Sequence, residues 1–358
     1  MRRIIEAPSS RPAGLRRLAA DFGPAYAANA VMGLVFSASG PVAIILSVGL
    51  AGGLSPAQLS SWVFSVFFVN GLITILMSWF YRQPLGFFWT IPGSVLVGPA
   101  LQHLTFAEVV GAFYATGLLV LAVGMTGWVG RAMRAVPMPI VMAMVAGVFL
   151  RFGLDLVRAT HTAPALGLPM VATFLLLSAV PALGRRLPPL IGALLVGPVM
   201  VGLLGRFDAS SWSGFQFVQP VLQKPAWSPA ALLELVLPLA ITVLVVQNGQ
   251  GFAVLSAAGH AAPVNACTVM SGIGSLFTAA FDGISSCVTG PTNALLSSVG
   301  EASRHYTAAI FLGLLAILFG LLAPSFIKLM LAMPREYIML LAGLAMLRVL
   351  QGTFVASF

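Results

Sequence analysis

Twelve apolar segments follow one another along this chain, most of them close to twenty residues long, with short loops between. A run of that length crosses the roughly 30 Å hydrocarbon core of a bilayer as a helix. Hydrocarbon offers a freed N–H or C=O no partner, so irregular backbone at that depth survives only where protein buries it or water reaches it. The chain therefore reads as an all-α polytopic membrane protein, and any polar, helix-breaking stretch inside a span marks a cavity. With 59% hydrophobic and 8% charged residues it is not a soluble enzyme.

The net charge of +9 comes from Lys and Arg scattered over short loops, the pattern of topology signals and not of a nucleic-acid patch. Cys267 and Cys287 lie in apolar segments and read as buried thiols. His103, His161, His260 and His305 have no ligand spacing, so no metal and no cofactor is expected.

Two segments depart most from a plain span. Phe281 to Gly300 (FDGISSCVTGPTNALLSSVG) and Gly86 to Ser94 (GFFWTIPGS) each read as a short extended piece turning into a helix that starts at a proline, Pro291 or Pro92. From Pro92 to Gln102 the helix covers roughly 16 Å and cannot cross. These are segments 10 and 3, two half-helices. Segment 1, Ala25 to Leu50, is broken at Phe36 to Pro41, and segment 8 runs from Pro229 into the polar group Gln247-Asn-Gly249. Segments 2 (Ala57 to Phe80), 4 (Phe106 to Arg131), 5 (Pro137 to Leu156), 6 and 7 (to Leu204) complete the first half. Residues 206–228 form a polar linker, after which segments 8 to 12 follow.

The halves repeat. Ala135-Val-Pro137 with Leu150-Arg151 matches Ala332-Met-Pro334 with Leu347-Arg348, and Thr90-Ile-Pro92 matches Thr289-Gly-Pro291. Gly53 to Pro56 answers Gly259 to Pro263, and the break at Ser37 to Gly40 answers Gln247 to Gly249. Seven crossings in the first half invert the second. Arginine bias places the N-terminus in the cytoplasm, and counterparts of the sixth and seventh segments are expected to be missing at the end.

In such a repeat the two half-helix starts meet near the midplane, where free N–H groups and the helix dipole favour an anion. The candidate substrate-binding residues are Ser37, Ser39, Trp89, Thr90, Gly93, Ser94, Gln247, Asn248, Thr289, Thr292 and Asn293. Gly93 is expected to leave room for a ligand. Trp89 could pack on an aromatic substrate, or simply between helices. Asp282, the acid nearest the site, is the proton-coupling candidate; capping a turn or meeting an arginine is its plainer role. Glu108 and Glu234 near helix starts read as structural.

Phe36-Ser-Ala-Ser-Gly40, Trp89-Thr-Ile-Pro-Gly93, Leu150-Arg-Phe-Gly-Leu154, Val246-Gln-Asn248 and Ala257-Ala-Gly-His-Ala-Ala-Pro-Val264 resemble the benzoate/proton symporters of the BenE type. At segment 10 only Phe281, Gly283 and Thr292 keep that family's pattern. The resemblance implies the seven-plus-seven inverted-repeat transporter fold, usually dimeric, with a core domain that moves against a gate domain. On that plan residues 1–24 are a cytoplasmic arm, 25–130 and 229–324 the core, and 131–205 and 325–358 the gate, the last incomplete. It implies uptake of an aromatic carboxylate with a proton across a bacterial inner membrane. A nucleobase-like or inorganic anion, an anion channel, and a truncated form that does not transport are the alternatives.

Overall fold

A computed structural model describes residues 5–8, 11–131, 138–184, 187–208, 214–298 and 300–357. Helix dominates, as the apolar runs require, and the strand pairing among the described residues is confined to two three-residue strands.

Helices α1 (Pro24–Ala38) and α2 (Gly40–Ala51) make one apolar stretch of 28 residues, broken at Ser39, whose ψ of −100° leaves the helical region. The break falls within Phe36 to Pro41, as expected. Helix α3 (Pro56–Tyr81) is inside out by the standard of a soluble protein. Asn70, Thr74 and Ser78, four apart on one face, are buried, whereas Leu72 and Leu76 are about half exposed. Lipid tails are as apolar as leucine, so exposed leucines cost nothing there and the polar face must turn inward.

Strand β1 (Phe87–Trp89) follows, and Thr90 then caps α4 (Ile91–Ala100), its hydroxyl accepting the Gly93 N–H at 3.1 Å. Ten residues carry α4 only about 15 Å. Helix α5 (Phe106–Thr126) begins with a capping box between Thr105 and Glu108, which gives Glu108 the structural role expected of it. Gly127, at φ 70°, ends this helix short of Arg131. The long helices that follow are α6 (Met138–Thr162), longer than expected, α7 (Pro164–Ala179) and α8 (Pro189–Leu203), with a single turn at Pro181–Gly184 between the last two.

The next span, α9 (Pro229–Ala257), corrects an expectation. No break occurs at Gln247 to Gly249. The helix instead widens into π turns at Leu232–Val236 and Thr242–Gln247 and continues, absorbing the irregularity without freeing the backbone. Helix α10 (Val264–Ala280), strand β2 (Ser286–Val288) and the short α11 (Gly290–Leu296) form the second strand-and-half-helix unit. Helices α12 (His305–Leu321), α13 (Ala323–Leu331) and α14 (Arg335–Ser357) complete the described chain.

Packing divides the molecule into two compact units. The first comprises Met1–Leu34, Ser60–Pro137 and Val218–Ala323; the second comprises Val35–Leu59, Met138–Phe217 and Pro324–Phe358. Residues 35–59, placed with the core on the expected domain plan, thus belong to the second unit. Within the first, α10 lies along α5 through small residues, Gly272 resting on the backbone of Leu121. Here α3 crosses α12 where Gly71 and Gly313 bring their main chains together. Within the second, α14 packs on α6, with Gly343 against Phe152 and Leu156. The linker is pinned: Val218 and Ala226 donate backbone hydrogen bonds to Leu321 and Ala107.

Candidate functional site

The site is built on the two strands of the first unit. They pair antiparallel, Phe87 opposite Val288, Phe88 opposite Cys287 and Trp89 opposite Ser286. Beyond the strands, Thr90 N–H donates to Ser285 O at 3.1 Å and Thr289 N–H to Gly86 O at 3.3 Å. Each strand runs directly into its half-helix, so the starts of α4 and α11 flank the pair. Four residues of register separate them, about 13 Å at 3.3 Å per residue.

A two-stranded sheet leaves each strand with an outer row of unpaired backbone groups, which is untenable in an apolar interior. Polar side chains from flanking helices meet that need, and the two halves do it alike. Thr74 Oγ1 accepts the Phe87 N–H at 2.8 Å and donates to Phe87 O, and Ser78 does the same for Leu85. In the second half Ser275 Oγ accepts the Ser286 N–H at 3.0 Å, and Thr278 donates to Ile284 O at 2.9 Å. Asn248 Oδ1 accepts the Val288 N–H at 2.8 Å. Ser286 donates to Asn70 Oδ1.

Several predicted site residues are thereby spoken for. Asn293 accepts from Gly86 N–H and donates to Gly86 O and Thr289 O at 2.7–3.0 Å, so its amide clamps the strand ends together. Thr90 donates to Thr242 Oγ1, and Ser94 donates to Thr90 O. Gly93 does not open onto a ligand space: a Cβ there would lie 2.4 Å from the Thr90 methyl group and 3.0 Å from Leu239. Thr292 and Gln247 are buried, Thr292 beside Gly33. Ser37 and Ser39 lie in the second unit, where Ser39 donates to Phe36 O, so they are not part of the constellation that the first unit assembles.

What remains uncommitted is a short row of buried groups along the strands. Trp89 Nε1, Asn248 Nδ2, Ser285 Oγ, Thr289 Oγ1 and both Asp282 oxygens have no hydrogen-bond partner. Each such group costs about 1–3 kcal/mol while unsatisfied. The Trp89 ring packs against Phe67 and Phe88, which gives the ring its packing role and leaves its N–H free. Asp282 follows the end of α10 with φ 69°, and the Ser61 hydroxyl beside it donates instead to Val221 O and Phe281 O. The uncommitted set has four donors, which suits an oxyanion, and one carboxylate beside them.

Sequence reasoning missed Asn70, Thr74, Ser78, Ser275 and Thr278. Their spacing of three or four on otherwise apolar helices was the available signal. Two of the histidines that show no ligand spacing in the sequence do meet in the fold, His260 Nε2 lying 3.1 Å from His305 Nδ1.

The sequence pattern of the benzoate membrane transport protein (BenE) family matches residues 20–358. The inner membrane protein YdcO of Escherichia coli (strain K12) is 32% identical over 314 residues, 87% of this chain and 79% of that one. The benzoate membrane transport protein of Acinetobacter baylyi is 28% identical over 340 residues, 93% of this chain and 84% of that one. Among solved structures, the transmembrane domain of the cyanobacterial bicarbonate transporter BicA superposes with a TM-score of 0.66 at 17% identity, covering 96% of this chain and 91% of that one. Murine solute carrier 26 family member A9, an anion transporter in its inward-facing state, does so with 0.60 at 15% identity, covering 90% and 60%. With the inverted-repeat transporter fold in place and the family pattern matched over nearly its whole length, this chain belongs to the BenE family of membrane transport proteins and is an integral membrane transporter of anions.

Proposed function

We propose that the protein carries a small aromatic carboxylate, benzoate first, together with a proton into the cell across the bacterial inner membrane, with its N-terminus in the cytoplasm. One observation carries the reading: the row of buried donors without partners along the paired strands, ending at a buried carboxylate without one. Thr289 follows Val288, whose N–H Asn248 holds, so a bound carboxylate at that end of the strands accepts from Asn248 Nδ2 and the Thr289 hydroxyl. Trp89 Nε1 and Ser285 Oγ lie too far along the pair to share the same carboxylate and are left for other polar groups of the substrate. Rigid half-helices set these groups in advance, so little ordering is needed on binding. Asp282 carries the coupled proton, and a monoanion crossing with one proton moves no net charge. In elevator-like alternating access the first unit, which holds both half-helices, is the transporting body. Benzoate as the first choice rests on the family and on the name of the Acinetobacter relative.

The test is uptake of radiolabelled benzoate into proteoliposomes with an inward proton gradient. Saturable accumulation that collapses when the gradient is dissipated is expected. Accumulation of uracil or bicarbonate in place of benzoate would reassign the substrate, and unsaturable conductance would make the protein a channel.

A further inference from the structure

At the end of the first unit that carries the N-terminal segment there is a cavity of about 500 Å³, walled by Arg17, Arg82, Gln83, His260 and Ser303. None of these residues belongs to the strand site. Arg82 directly follows α3 and stands at φ 52°, a conformation that costs a non-glycine residue on the order of 1–2 kcal/mol. The surroundings hold it there: its guanidinium lies over the Tyr306 ring at 5.5 Å, with Nη2 3.7 Å from Asp21.

The charges do not balance. One carboxylate, Asp21, faces two guanidiniums, Arg17 at 3.6 Å and Arg82 at 3.7 Å, both longer than a charge-assisted hydrogen bond. Asp21 Oδ2 instead accepts the Tyr306 hydroxyl at 2.7 Å. Arg304 adds a third cation, bound to the Asp21 and Ala20 carbonyls. Of the other acids nearby, Glu301 is exposed just before the wall residue Ala302, and Glu6 accepts from the N–H groups of Asn265 and Ala266 at 3.0 Å, which occupies both its oxygens. Arg82 Nε is buried with no partner, and so is the acceptor Gln83 Oε1, whose own amide nitrogen donates to Ala261 O. The cavity wall thus carries two guanidiniums and no carboxylate, and one of its arginines and its glutamine hold an idle donor and an idle acceptor turned inward. An oxyanion that draws Arg82 toward it answers the charge and the donor, and one bearing a hydroxyl that draws Gln83 as well answers all three.

We propose that this cavity is a second anion site, separate from the strand site, that binds a phosphate or a hydroxyl-bearing phosphate ester between Arg17 and Arg82. The ligand is either soluble phosphate or the headgroup of phosphatidylglycerol. The experiment uses the full chain, purified and delipidated in detergent, titrated with inorganic phosphate by calorimetry, with and without added phosphatidylglycerol or phosphatidylcholine.

Saturable phosphate binding is expected, weakened about tenfold by Arg17→Gln, the loss of one charge-assisted contact, and abolished by Arg82→Gln. Arg17 is largely exposed, so its variant keeps the fold even if Arg82→Gln does not. If phosphatidylglycerol, and not phosphatidylcholine, blocks phosphate, the source is the lipid; if neither does, it is the soluble ion. Absence of phosphate binding, or binding unchanged in Arg17→Gln, overturns the proposal. Benzoate uptake is a separate readout, so failure here leaves the strand site standing.

Discussion

Thr74→Val tests the claim that side chains of neighbouring helices hold the strand pair. The change keeps shape and burial and removes only the hydroxyl. In the wild type that hydroxyl accepts the Phe87 N–H at 2.8 Å and donates to Phe87 O at 3.2 Å. Phe87 faces away from its partner strand in the hydrogen-bonding sense, because the cross-strand bonds on either side of the pair are made by Gly86 and Thr90. Both Phe87 backbone groups are therefore orphaned. At 1–3 kcal/mol each the loss is roughly 2–6 kcal/mol. Hydrogen bonds measured in membrane helices average about 0.6 kcal/mol, because the unfolded chain finds partners in lipid too, so about 2 kcal/mol is the working figure. Equilibrium unfolding in mixed micelles reads it directly. Thr74→Ser, which restores the hydroxyl, should recover most of the loss. A Thr74→Val protein within 0.5 kcal/mol of wild type would refute the assignment of Thr74 as the strand's hydrogen-bond partner.

Asp282→Asn should abolish gradient-driven accumulation of benzoate while sparing benzoate exchange across proteoliposomes; unchanged accumulation removes Asp282 from coupling. Thr289→Val keeps the shape and deletes the Oγ1 donor, so half-saturating benzoate should rise about tenfold in the same uptake assay. Gly283→Ala places a Cβ 1.9 Å from Ser65 Oγ. Thermal melting should show it destabilised, and Ser65→Ala should rescue it in part. His260, in the loop before α10, has its pKa pushed down to about 4 by burial and by His305 beside it. The unfolded chain takes up that proton near pH 6.5, so the contribution is intact above that pH and is lost as pH falls toward 4. Unfolding midpoints followed from pH 7 to 4 should flatten in His260→Asn.

Those residues also mark how far the sequence could be read. The half-helices were legible because proline after an extended, threonine-terminated piece is a local signal, and Thr90-Ile-Pro92 and Thr289-Gly-Pro291 do begin α4 and α11. The repeated turns were legible for the same reason, Gly53 and Gly259 both being left-handed. The occupants of the site were not. Asn293 looked like a ligand contact because an amide beside a helix start can serve a substrate or a backbone equally well, and only the register shows that Gly86 takes it. The break expected at Gln247 to Gly249 became a π turn because a wider helix keeps its backbone bonded, which composition does not reveal. Contacts such as His260 with His305, or Asn70 with Ser286, join distant segments and have no periodic trace. The grouping of residues 35–59 with the second unit is a tertiary fact of the same kind.

The central claim is that the transported anion is held by the paired strands and not elsewhere. Iodobenzoate soaked into crystals of the protein, located by its anomalous scattering, tests it most directly. The account predicts the carboxylate within hydrogen-bond distance of Asn248 Nδ2 and Thr289 Oγ1. Iodobenzoate seated away from both, in a protein that still accumulates benzoate, would contradict it.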